Sequence, residues 1–170
     1  MRSFNYGSSG NSQTNSVGVE GTRQLANLNY GICVRMAPNQ CSISWSRVQS
    51  DSFSFTLTGD VGAVDPTLIG TSALQMQTCT TDFIVIPSPS QGNTVLSSDR
   101  FCGLGFATTT SKYTFYTASL IIPFNLLTVG FVVGNMKPFV LYVHTDGDEA
   151  MDIANRGFAL SYSQSLCPVL

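Results

Sequence analysis

The chain has 170 residues, 43% of them hydrophobic and only 11% charged, with eight Lys and Arg against ten Asp and Glu for a net charge of −2. That length suits one domain able to hide roughly 70% of its unfolded surface, and the charge balance leaves no basic patch able to neutralise many phosphates, which excludes nucleic acid as a partner. Few charges and abundant Ser and Thr mean a surface covered by hydroxyls and amides, a composition suited to β-structure because β-branched residues fit a pleated surface. Five cysteines without Cys-x-x-Cys spacing point to an oxidising compartment rather than to zinc or redox chemistry, and the odd count leaves one unpaired.

Along the chain, residues 1–24 are rich in Gly, Ser and Asn and read as loop or loosely held surface chain. Met1-Arg2-Ser3-Phe4-Asn5-Tyr6 has no apolar core of a secretory signal, so the sequence reads as a fragment of a secreted protein. Cys41-Ser42-Ile43-Ser44-Trp45-Ser46 and Phe53-Ser54-Phe55-Thr56-Leu57-Thr58 alternate apolar and hydroxyl residues, as strands with one buried face do. Gly59-Asp60, Asp65-Pro66, residues 87–93 and Thr145-Asp146-Gly147-Asp148 favour turns. Phe83-Ile84-Val85-Ile86 and residues 139–143 are short apolar runs expected deeper in the fold. Phe158, Leu160 and Tyr162 resume the alternation. Repeated strands with such punctuation predict an all-β, two-sheet antiparallel sandwich. Residues 118–134 form an apolar stretch slightly short of the ~20 needed to cross a bilayer. Pro123, Asn125 and Thr128 break it and no charged anchor flanks it, so no membrane span is expected.

Catalytic motifs are absent. His144 is the only histidine and lies in an apolar run, where it reads as a strand residue rather than a general base. There is no Gly-x-Ser-x-Gly elbow, and Gly103-Leu104-Gly105-Phe106 lacks the rest of a dinucleotide fingerprint. Clustered His and Cys ligands for zinc are missing, and so is an Asn-x-Ser/Thr sequon. Four of the ten acids, Asp146, Asp148, Glu149 and Asp152, fall within seven residues.

The cysteines carry a family resemblance that covers most of the chain. Leu28-Asn29-Tyr30-Gly31-Ile32-Cys33, Cys79-Thr80-Thr81-Asp82-Phe83, Arg100-Phe101-Cys102-Gly103 and Asn155-Arg156-Gly157-Phe158, in that order, resemble the CUB domain family and, more narrowly, CUB domains of secreted arthropod proteins. The resemblance implies a disulfide-bonded, jelly-roll-like sandwich over residues 25–170, with residues 1–24 the start of a truncated domain. It implies pairing of Cys79 with Cys102 and of Cys41 with Cys167, and a partner for Cys33 upstream of Met1. It also implies a calcium site, in which Asp82 and Asp146 match two family positions. The third, a Glu in the family, is matched by the shorter Asp60, and Asn155 could add an amide oxygen. The alternative for these acids is a solvated turn at Asp146-Gly147-Asp148 and a strand-end Asp82 bonded to backbone donors.

One interval departs from the family, an apolar insertion at about residues 111–136. It reads either as a family-specific loop or as a translated intron over 111–134, since Ser111-Lys112-Tyr113 can encode a splice donor and Val133-Gly134 an acceptor. Functionally, the resemblance implies a non-catalytic extracellular module that binds an unidentified protein. Alternatives are an accessory domain of a secreted serine protease and a structural protein of cuticle, silk or eggshell.

Overall fold

The computed structural model describes residues 1–4, 6, 25–57, 79–106, 115–117, 120–122, 130–147 and 156–168. Within them the strands are β1 (Asn29–Cys33), β2 (Gln40–Arg47), β3 (Phe55–Thr56), β4 (Phe83–Val85), β5 (Pro89–Gln91), β6 (Thr94–Val95) and β7 (Arg100–Phe101). There follow β8 (Phe115–Thr117), β9 (Leu120–Ile122), β10 (Val132–Gly134), β11 (Val140–His144), β12 (Gly157–Phe158) and β13 (Leu160–Leu166). No helix occurs among the described residues, and none is therefore long and apolar enough to cross a membrane. The expected all-β sandwich is what the chain adopts.

One sheet has the order β1-β11-β4-β7 and the other β13-β2-β10-β5-β6, with every pairing antiparallel. Two further pairs, β12-β3 and β8-β9, complete the strands. The alternation in β2 sends Ile43 and Trp45 inward. There they join Ile84, Leu141 and Val143 of the facing sheet in a core closed by Phe55, Phe101, Phe106, Phe139 and Phe158. Phe106 lies 5.0 Å from Phe55 and 5.8 Å from Phe101, ring centre to ring centre. Such aromatic pairs add ~1 kcal/mol each beyond the area they bury.

Two disulfides staple this core. Cys41, on β2, is bonded to Cys167, just past β13, and Cys79 is bonded to Cys102 on either side of β4 to β7. In the loop-entropy account, a separation of 126 residues corresponds to about 5 kcal/mol and one of 23 to about 3.5 kcal/mol. Cys33, at the end of β1, is a free and exposed thiol.

Three segments differ from their sequence-based reading. The alternation around Phe55 predicts one solvent-facing side, yet Ser54 and Thr56 are as buried as Phe55 and Leu57. Residues 87–93 read as turn, but Pro89–Gln91 is β5, held between β10 and β6. Only Gly92-Asn93 forms the hairpin tip, with Gly92 at φ 57°, where a left-handed residue matches the twist of the strands. The start of the chain, read as loose, is bound along β12 and β13. Ser3 donates its amide to the Phe158 carbonyl, Leu160 donates to Met1, and Arg2 bridges Ala159.

The end of the apolar interval is built into the domain. β10 is the middle strand of the five-stranded sheet, with Val132 buried opposite Trp45. A Cβ on Gly134 would stand 3.2 Å from the Ile86 methyl, so glycine lets β10 approach the core closely. Removal of 111–134, as the intron reading has it, would take this strand out. A chain lacking 111–134 is expected to lose cooperative unfolding in thermal melts, because β2 and β5 have no common neighbour left. A cooperative melt at the full-length temperature would show that β10 is dispensable.

Candidate functional site

Three strand termini meet at one end of the four-stranded sheet. The register sets His144, the last residue of β11, opposite Asn29 of β1 and Phe83 of β4. The segments just outside them, 25–28, 79–82 and 145–147, are therefore brought together. Thr145 ties them. It is buried, its hydroxyl donates to the Leu25 carbonyl at 2.7 Å and accepts from the Leu28 amide at 2.8 Å, and its own amide donates to the Leu28 carbonyl at 2.9 Å.

Asp82 supplies the second tie. Its residue is 1% exposed, and its Oδ1 accepts the Asp146 amide at 2.9 Å. Asp146 in turn accepts the Asn27 amide through its carbonyl. Asn27 adopts φ 57°, a left-handed conformation that Asn tolerates well. Its side-chain amide covers Gly147, where an added Cβ would meet Asn27 Oδ1 at 3.2 Å.

Of the residues singled out in the sequence, Asp82 and Asp146 thus meet, while Asp60 and Asn155 lie outside the described residues. The bond between Asp82 and the Asp146 amide is the backbone-donor alternative realised. Among the described residues, no group of three His, Cys, Asp or Glu side chains gathers as a metal cluster. Thr145 and Asn27 escaped the sequence reading. Thr145 ends an apolar run as any turn residue would, and only the left-handed tolerance of Asn hinted at Asn27.

Beside this end, the outer face of the sheet carries a stack of rings. His144 lies 4.8 Å from the Phe83 ring and the Arg100 guanidinium lies 4.4 Å over it. Arg100 also donates to the Cys79 carbonyl, which fixes it beside the disulfide. Tyr142, two residues from His144 on the same face, is 47% exposed. His144 is therefore a half-buried strand residue packed on Phe83, with no nucleophile in contact among the described residues.

The family model for the animal CUB domain matches residues 1–165. The chain belongs to the animal CUB domain family. No curated protein matches it, and no solved structure does. CUB domains are generally extracellular, non-catalytic binding modules, and the two disulfides of this CUB domain fit a secreted protein. The match includes the N-terminal segment, in agreement with its pairing along β12.

In this CUB domain Thr145→Val keeps the side-chain shape but leaves the Leu28 amide and Leu25 carbonyl without their partner. Denaturant titration is expected to show a loss of about 2 kcal/mol, with chemical-shift changes centred on residues 25–28. An unchanged midpoint would show that the hydroxyl does not hold these segments together.

Proposed function

We propose that this chain is a non-catalytic extracellular recognition module that binds another protein at the Asp82–Asp146 end and the adjoining Phe83, Tyr142 and Arg100 face. The observation that carries this reading is the joining of three loops by Thr145 and Asp82 next to exposed Tyr142 and Arg100. Tyrosine and arginine are among the residue types that most often dominate protein interfaces, and Arg100 is already held by the Phe83 ring and the Cys79 carbonyl. Segments anchored by buried hydrogen bonds also lose little freedom when a partner docks.

Calcium belongs to the same reading. A hard cation takes several oxygen ligands, and the bond from the Asp146 amide to the Asp82 carboxylate joins the two acidic loops. The residues that would hold the ion are Asp82 and Asp146, joined by Asp60 and Asn155. The ion would neutralise the acidic end and brace its loops.

Asp82→Asn separates the metal role from the structural one, because the amide oxygen can still accept the Asp146 N–H while the charge is gone. Calorimetry is expected to show calcium binding to the native chain and at least about tenfold weaker binding to Asp82→Asn, with similar calcium-free melting temperatures. Equal calcium heats in both proteins, or none in the native chain, would rule this site out. For the protein partner, a photoreactive residue at Tyr142 should capture a protein from extracellular medium when calcium is present. Equal capture from exposed Ser163 on β13 would count against the Asp82 end.

A further inference from the structure

A second cluster joins the N-terminal segment, the chain between β2 and β3, and Arg156 at the entrance to β12. The Tyr6 hydroxyl donates to Asp51 Oδ2, and the Phe53 amide donates to Asp51 Oδ1 at 2.9 Å. Arg156 lies 6.0 Å from the centre of the Tyr6 ring and 5.2 Å from that of Phe53, and Arg2 lies 5.7 Å from the Tyr6 ring. Arg47 donates to the Asp51 backbone carbonyl.

Among the described residues, the charges in this cluster do not balance. Burial acts to raise the Asp51 pKa, but the Tyr6 hydroxyl, the Phe53 amide and the Arg156 and Arg2 charges outweigh it and hold the carboxyl below its ordinary value. Burial, reinforced by Asp51, pushes the Tyr6 hydroxyl up, so the ring stays neutral. One carboxylate thus faces Arg2, Arg47 and Arg156, and both of its oxygens are engaged by neutral donors. None of the three guanidiniums forms an ion pair among the described residues. The Arg156 Nε is buried without a hydrogen-bond partner among the described residues, although its backbone amide is satisfied by Thr56. A buried donor left unmet is costly and calls for an explanation.

We propose that Arg2 and Arg156, supported by Tyr6 and Phe53, form a binding site for the carboxylates of an acidic segment of a partner protein. A guanidinium laid against aromatic rings keeps its N–H edge for a planar, two-oxygen acceptor, the geometry that arginine and carboxylate share. Rotation about the last side-chain bonds of Arg156 turns its Nε–Nη edge outward and gives the orphan N–H its acceptor. Arg2, exposed and 5.7 Å from the centre of the Tyr6 ring, supplies the second charge. This site uses neither Asp82 nor calcium, so it stands or falls separately from the reading above.

The test uses the 170-residue chain. Acetyl-tetraglutamate amide is titrated against it, with acetyl-tetraglutamine amide as the uncharged control, and binding is followed by the ring resonances of Tyr6 and Phe53. The glutamate peptide is expected to bind and the glutamine peptide not to. Arg2→Gln and Arg156→Gln should each weaken binding by about tenfold or more, and Arg156→Lys should restore only part of it. Arg35→Gln, an exposed arginine beyond β1, should change nothing. Because Arg2 is on the surface, Arg2→Gln reads the site even where Arg156→Gln lowers stability. Absence of glutamate binding, equal binding of the two peptides, or native affinity in Arg2→Gln would overturn the proposal. So would displacement of the peptide by equimolar sulfate, which would mark a site for tetrahedral anions.

Discussion

The end of β11 is where the sheet becomes a site. Antiparallel register alone places His144 between Asn29 and Phe83, but the chain beyond the last ladder bond would be free to leave. Thr145 and Asp82 stop it, the first by bonding both to the segment before β1 and the second by holding the Asp146 amide. Each bond is worth only about 1 kcal/mol net, yet each also satisfies a group whose burial without a partner would cost more. The loops are thereby tied to one another at the ends of the strands that carry them, and such pre-organisation favours binding.

Behind that end, the rest of the domain keeps the two sheets from shifting. β10 sits in the middle of its sheet because Gly134 lets it press against Ile43 and Ile86. The Cys41–Cys167 bond fastens β2 to the far end of β13, while Cys79–Cys102 closes the chain around β4 and supports Arg100 through the Cys79 carbonyl. At the other extreme of the sequence, Met1 to Ser3 extend the sheet edge along β12, and Tyr6 anchors on Asp51. Two surfaces of different character result among the described residues, one organised around acids and one around arginines, on a chain whose net charge is only −2.

What the sequence made legible followed from period and from cysteines. The alternation of Ile43 and Trp45 with serines marked β2 and its inner face, and the run at Phe83 marked a buried strand. Burial of Ser54 and Thr56 could not be foreseen, because the chain at Arg156 and Ala159 that bonds to them lies about a hundred positions away and no local pattern announces it. Pro89 hid a strand, since proline speaks locally for a turn whatever the sheet around it does. The hold on Met1 to Ser3 runs largely through backbone groups, which every residue possesses and no composition reveals. Asp82 and Asp146 were legible through the family motif alone; periodicity says nothing of them. Thr145 is bonded to residues 117 and 120 positions away, and Tyr6 to Asp51 across 45, so only the fold discloses these contacts.

The proposed site rests on the Asp82 carboxylate holding the Asp146 amide, and amide hydrogen exchange reads that bond directly. Asp146 lies beyond the last residue of β11, so without this bond its amide should exchange at the rate of an open loop. In the native chain it should instead be protected by at least about tenfold. Asp82→Ala should abolish that protection while leaving the amides of Leu141 and Val143 slow. Fast exchange of the Asp146 amide in the native chain, or protection that survives in Asp82→Ala, would contradict the arrangement on which the proposed site is built.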